Sequence, residues 1–137
     1  MNTQLIPYQS QTADQELNVY MHEGSFWMTL SCMSRLFNSS TLEVYATLKD
    51  VIKGGAFDGL NINKRLEVTT VNKTRSVGNF YNLDIILAIG YKLNPKEAAE
   101  FFLWSQFMTK SYILQSAKIE YGIVGSLKKS FSKILSA

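Results

Sequence analysis

The chain has one cysteine and one histidine in 137 residues, Cys32 and His22. A Cys/His pair is the smallest set that could make a covalent nucleophile and its base. Such a pair also needs an orienting third group, and simpler uses fit these two residues better. Cys32 lies between apolar residues of an expected helix, where buried free thiols are common. His22 falls at an expected turn in His22-Glu23-Gly24-Ser25. Zinc sites take three or four Cys, His or carboxylate ligands, so no metal site is expected. A P-loop, a G-x-G-x-x-G fingerprint and a G-x-S-x-G elbow are all missing from the sequence. Asp84 sits two residues after a helix cap, where a carboxylate serves the helix dipole. No catalytic residue, cofactor or small-molecule substrate is expected, and the chain reads as non-enzymatic. With a single cysteine no intrachain disulfide can form, which suits a reducing, cytoplasmic setting.

Cations are the other chemistry on offer. The formal net charge is +3, unevenly spread. Residues 1–48 hold Arg35 against Asp14, Glu16, Glu23 and Glu43, a balance of −3, so the remainder carries +6. Its basic residues gather at Lys64, Arg65, Lys73 and Arg75, and again at Lys118, Lys128, Lys129 and Lys133. An excess of this size permits contact with nucleic acid without requiring it.

The elements that must position these groups follow from periodicity. Hydrophobic residues make up 46% and charged residues 18% of the chain, the balance of a globular domain. No collagen, coiled coil, membrane span or disordered tail is expected. The first residues lack the basic flank and apolar core of a secretory signal. Residues 1–16 read as an N-terminal arm, disordered at its start. Leu17, Val19 and Met21 alternate and are followed, across a Gly-containing turn, by Phe26-Trp27-Met28, which predicts a β-hairpin. Thr29 is an N-cap for a short helix with Leu30, Met33, Leu36 and Phe37 on one face, ending near Asn38. Ser40 and Glu43 form a capping box for a second helix with Val44, Leu48, Val51 and Ile52 as its apolar positions. Gly54-Gly55 ends it. Residues 29–54 thus read as a helix-turn-helix, a pattern that by itself seldom means DNA binding.

A second hairpin is expected at about 64–81, with basic residues at its tip. It fits either the wing of a winged helix or a plain solvated hairpin whose charges guard an edge. Asn82 caps a helix to about Leu93. Asn94, Pro95 and Glu97 start a long helix to about residue 116, rich in aromatic residues. An apolar belt this wide has two sides to cover, one of them in a dimer. In the tail, 126–137, Leu127, Phe131, Ile134 and Leu135 make the apolar stripe of a basic amphipathic helix. It could pack on the body or on a second subunit, meet phosphates, or lie on an anionic membrane surface.

Residues 26–113 resemble a known family on Trp27-Met28-Thr29, Met33, Leu36-Phe37, Ser40, Val44, Leu48-Lys49-Asp50-Val51, Gly55 and Trp104. Most specific are the strings Phe80-Tyr81-Asn82-Leu83-Asp84 and Ile89-Gly90-Tyr91-Lys92-Leu93-Asn94. The family is that of the virulence-associated RhuM-type proteins of bacteria, commonly carried on mobile elements. They are similar in layout to phage Bro-N and KilA-N type domains. Family members are typically longer, with a further C-terminal region where this chain has its short tail.

The resemblance implies a DNA-binding protein whose helix-turn-helix maps onto residues 30–53. Residues near the start of a second helix face base edges, which here are Ser39, Ser40 and Thr41, with Tyr45 and Lys49 one turn on. Lys64, Arg65, Lys73 and Arg75 would neutralise phosphates. The chain departs from the family in its second helix, which carries Ala46 and Thr47 where basic residues are usual, and Glu43 and Asp50 besides. That departure opens a second reading, a protein-interaction module that has lost DNA binding: a dimeric adaptor or a small inhibitor of a host or rival system. Leu127, Phe131, Ile134 and Leu135 would then be partner-binding.

The expected fold is α+β: a winged helix-turn-helix-like N-terminal part with two β-hairpins, followed by a helical C-terminal half. The expected division is an arm at 1–16, one RhuM-like domain at 17–125 with helices at about 82–116, and the tail helix at 126–137. The expected partners are double-stranded DNA and a second copy or another protein.

Overall fold

The computed structural model describes residues 3–10 and 16–121, with side chains through residue 115. The tail residues Leu127, Phe131, Ile134 and Leu135 lie outside the described residues.

The protein is α+β. Five antiparallel strands, β1 (Gln4–Tyr8), β2 (Leu17–His22), β3 (Ser25–Met28), β4 (Asn63–Thr69) and β5 (Arg75–Asn82), form one sheet in the order β1-β2-β3-β5-β4. The described residues also form four helices, α1 (Leu30–Phe37), α2 (Thr41–Lys53), α3 (Leu83–Leu93) and α4 (Pro95–Tyr121). Both expected hairpins are present. They are joined into a single sheet where Trp27 pairs with Asn82 and Met28 with Tyr81. The two helices α1 and α2 thus lie in the connection from β3 to β4, strands that β5 separates in the sheet.

The expected arm is corrected in part. Gln4–Tyr8 is a strand paired along its length with β2. Leu5 packs against Tyr20, Trp27, Leu66, Val68 and Phe80, and Tyr8 is buried. Burial of these side chains offsets the entropy of ordering the segment. Pro7 is tolerated because β1 is an edge strand.

That cluster also shows how the sheet bends. Leu5 comes from one edge strand and Leu66 and Val68 from the other, so the sheet coils until β1 and β4 approach. Side-chain alternation puts Tyr20, Trp27, Leu66, Val68 and Phe80 on one face. Leu17, Val19, Met21, Phe26, Met28 and Tyr81 lie on the other, and all are buried.

Local chemistry sets the helix ends. Thr29 accepts from the Cys32 N–H at 3.1 Å. Asn38 closes α1 in the left-handed conformation (φ 53°, ψ 48°), which a short polar side chain tolerates. Ser40 and Glu43 make the full capping box. The Asn82 side chain accepts from the Ile85 N–H at 3.2 Å. Asn94 does two jobs: its carbonyl oxygen accepts from the Glu97 N–H, and its amide donates to the Phe37 carbonyl at 3.2 Å, tying α4 to the end of α1. Gly90 lets α3 pass close to both. A Cβ there would stand 2.5 Å from the Phe37 ring and 2.8 Å from Ala98 Cβ.

The chain divides into two compact units, Met1–Ala99 and Glu100–Ala137. The division falls inside α4, and the expected 125/126 boundary lies outside the described residues. α4 also runs further than expected, to Tyr121. In its second unit, Phe101 and Ser105 are buried, and the Phe101 ring stacks on Trp104 at 5.4 Å. Among the described residues, no helix is long and apolar enough to cross a membrane.

Candidate nucleic-acid interface

The turn from α1 to α2 spends its polar groups on itself. Ser39 donates its N–H to the Ser34 carbonyl at 3.0 Å, and the Ser34 hydroxyl donates to the Ser39 carbonyl at 2.8 Å. The Ser39 hydroxyl reaches the Phe37 carbonyl at 3.5 Å. The Ser40 hydroxyl accepts from the Glu43 N–H at 3.1 Å, and the Glu43 carboxylate accepts from the Ser40 N–H, also at 3.1 Å. These bonds satisfy orphan donors at the start of α2. Ser39 and Ser40 therefore serve first as the turn and the cap. Thr41 is exposed at the head of α2.

Further along α2, Tyr45 and Lys49 share the exposed face, and the Lys49 ammonium sits 5.6 Å from the centre of the Tyr45 ring. That geometry is a cation–π contact. Lys53 is exposed one turn later. Ile52 was expected among the apolar core positions. It is exposed instead, as is Leu42. Val44, Leu48 and Val51 suffice to bury the inner face, and Ile52 falls about 100° beyond Val51 around the helix. The exposed face of α2 thus carries Leu42, Tyr45 and Ile52 beside Lys49 and Lys53, with the carboxylates of Glu43 and Asp50 also exposed.

The hairpin meets α2 at its base. The Tyr81 hydroxyl is hydrogen-bonded by the Asn63 side chain. Burial pushes its pKa up, and the neighbouring Tyr45 hydroxyl pushes the same way. Tyr45 of α2 is therefore a neighbour of Tyr81, which pairs with Asn63 across β4 and β5. Alternation from that pair carries the same sheet face outwards through Arg65 and Asn79, Glu67 and Val77, Thr69 and Arg75. Lys73 is at the tip in the left-handed conformation (φ 63°). Arg65, Lys73 and Arg75 are all exposed. Arg65 and Arg75 thus share the sheet face of Tyr81, and Tyr45 and Lys49 share the exposed face of α2. Glu67, also exposed, puts one carboxylate between the two arginines.

Lys64 does not join them. It pairs with Phe80, on the face that carries Leu66 and Val68. Its ammonium is ion-paired with Glu23 from the β2–β3 turn, and this holds the Glu23 carboxyl below its usual range. Lys64 is therefore removed from the expected phosphate-facing set. One residue of sequence separates it from Arg65, and in a strand one residue is one face.

Cys32 and His22 do not form a nucleophile pair. The Cys32 thiol is buried and donates to the Asn18 carbonyl at 3.7 Å. Burial pushes its pKa up to about 11, against a smaller pull from Arg35. A neutral thiol is a weak nucleophile. Both His22 ring nitrogens are engaged elsewhere, Nδ1 with Thr3 Oγ1 at 2.9 Å and Nε2 with Glu23 at 3.3 Å. His22 also accepts at its carbonyl from the buried Trp27 indole N–H at 2.8 Å. Among the described residues, no group of three His, Cys, Asp or Glu side chains is placed to hold a metal ion.

Compared with known proteins, the chain matches no family model, no curated protein and no solved structure.

Proposed function

We propose that the chain is a DNA-binding, regulatory module of a bacterial mobile element or prophage, working without catalysis in the cytoplasm. The resemblance to RhuM-type proteins supports the class. The observation that carries the reading is that Arg65 and Arg75 share the hairpin face of Tyr81, the residue Tyr45 of α2 neighbours, while Lys49 and Lys53 are exposed on α2. The outer face of α2 would enter the major groove with Thr41 and Tyr45 foremost. Lys49, Lys53, Arg65, Lys73 and Arg75 would neutralise phosphates on either side. Phosphate contacts fix register and orientation, and side chains at base edges supply sequence preference. Leu42 and Ile52 at the ends of the α2 face could meet thymine methyl groups. Ser39 and Ser40 act in this reading as the cap that stiffens the helix.

A second reading rests on the same two residues. An exposed leucine and isoleucine on a helix with no net charge also suit a protein groove. In that case α2 is the docking helix of an adaptor or inhibitor, and its cations are solubilising.

Fluorescence anisotropy with random duplex DNA, titrated from low to physiological salt, separates the two. Binding whose log affinity falls linearly with log salt is expected for the first. No binding at low salt refutes it and leaves the second.

A further inference from the structure

Helix α4 carries large apolar side chains that its own unit leaves in water. Leu103 is 66% exposed, Phe107 59%, Ile113 46% and Phe102 37%. Lys110 and Leu114 beside them are partly exposed. Leu103, Phe107, Lys110 and Leu114 are spaced four, three and four residues apart, which places them in one seam along the helix. We propose that this seam is a self-association surface, on which the same seam of a second copy lies antiparallel.

The seam is complementary to itself in one register. In a two-fold pair, if one residue meets another, the reverse contact follows by symmetry. Setting Leu103 against the partner's Leu114 sets Phe107 against the partner's Lys110. The ammonium then lies against an aromatic ring, a favourable arrangement for a cation excluded from water. A parallel, in-register pair would instead oppose Lys110 to the partner's Lys110, two like charges in a closing apolar contact. A single cation in such a seam selects register and orientation at some cost in stability.

Area sets the strength of the contact. At roughly 200 Å² for a large side chain, Leu103 and Phe107 leave about 250 Å² of the seam bare on each copy. Gln106, Lys110 and Leu114 add to it, with Phe102 and Ile113 flanking one side, so a symmetric pair falls below the ~1,000 Å² of a specific, stable interface. The contact would be weak and concentration-dependent. Unlike the DNA-binding face, it uses no residue of α2 or the hairpin, so either proposal can fail alone.

The test is sedimentation equilibrium of the full chain over a range of concentrations. A reversible dimer is expected, with L103E/F107E monomeric and K110L a tighter dimer. K110L needs no loss of folding to be informative. Orientation is read by disulfide cross-linking: L103C/L114C should join two copies and L103C alone should not. A monomer at every concentration overturns the proposal, as does a dimer that survives L103E/F107E. A monomer that dimerises only as L127S/F131S would also overturn it, showing that the tail covers the seam within one chain.

Discussion

Replacing both Arg65 and Arg75 by alanine should flatten the salt dependence of DNA binding, while Lys64→Ala should leave it unchanged. Alternation along β4 and β5 puts Arg65 and Arg75 on the face of Tyr81, which Tyr45 of α2 neighbours, and Lys64 on the opposite face in an ion pair with Glu23. With Lys49, Lys53 and Lys73, all exposed, the two arginines make the five cations that the proposed interface assigns to phosphates. Each phosphate contact contributes about 0.9 to the slope of log affinity against log salt, so full engagement gives a slope of about 4.5. Between about 50 and 200 mM salt, each contact is worth about 3.5-fold in affinity, and all five about 500-fold. The double variant should show a slope of about 2.7, lost equally on every duplex sequence because phosphates carry no sequence information. Anisotropy at a series of salt concentrations measures this directly. If Lys64→Ala lowers the slope as much as Arg65→Ala, the face assignment is wrong. A wild-type slope below one would mean that the cations do not act together.

Two further outcomes concern the body of the protein. Gly90→Ala drives a methyl group into the Phe37 ring and Ala98, at 2.5 and 2.8 Å. Overpacking of this kind costs about 3 kcal/mol, so a thermal melt should show Tm lowered by about 10 °C, and an unchanged Tm would remove Gly90 from the α1–α3–α4 contact. Cys32 should resist alkylation at pH 8 until the protein unfolds. Its folded pKa of about 11 lies above the ordinary 9.0, so its contribution to stability is full below pH 9 and is lost as pH rises towards 11. That loss amounts to about 3 kcal/mol, and denaturant melts of Cys32→Ala against wild type across this range would reveal it.

What could be read from the sequence was local. Thr29, Ser40, Asn82 and Asn94 marked the helix starts because a cap bonds within three residues of itself. The hairpins were marked by alternation and turn residues. The strand Gln4–Tyr8 was not, because its short polar stretch with a proline is ordered by Leu17–Met21 and by Leu66 and Val68, far along the chain. Ile52 looked like core because its neighbour Val51 is core. Only the packed helix shows that three residues already fill the inner face. For the candidate site, the cations were visible and their faces were not. The Lys64–Glu23 ion pair spans 41 positions, and the Tyr45–Tyr81 approach joins elements that no periodicity connects. The four-three-four spacing on α4 is too short a run for composition to register.

The two ladder pairs between β3 and β5 have a kinetic consequence. Each flanking hairpin, β2–β3 and β4–β5, closes over a handful of residues, and α1 and α2 are linked by a three-residue turn. Joining β3 to β5 instead requires residues 29–74 to be looped out and brought back. Loop closure on that scale is costly before any contact repays it, and non-local pairing is what slows small domains. Assembly of the sheet is therefore gated by its shortest seam. Because Tyr81 belongs to that seam, the placement of the β4–β5 hairpin beside α2 depends on this non-local pairing rather than on either hairpin's own turn.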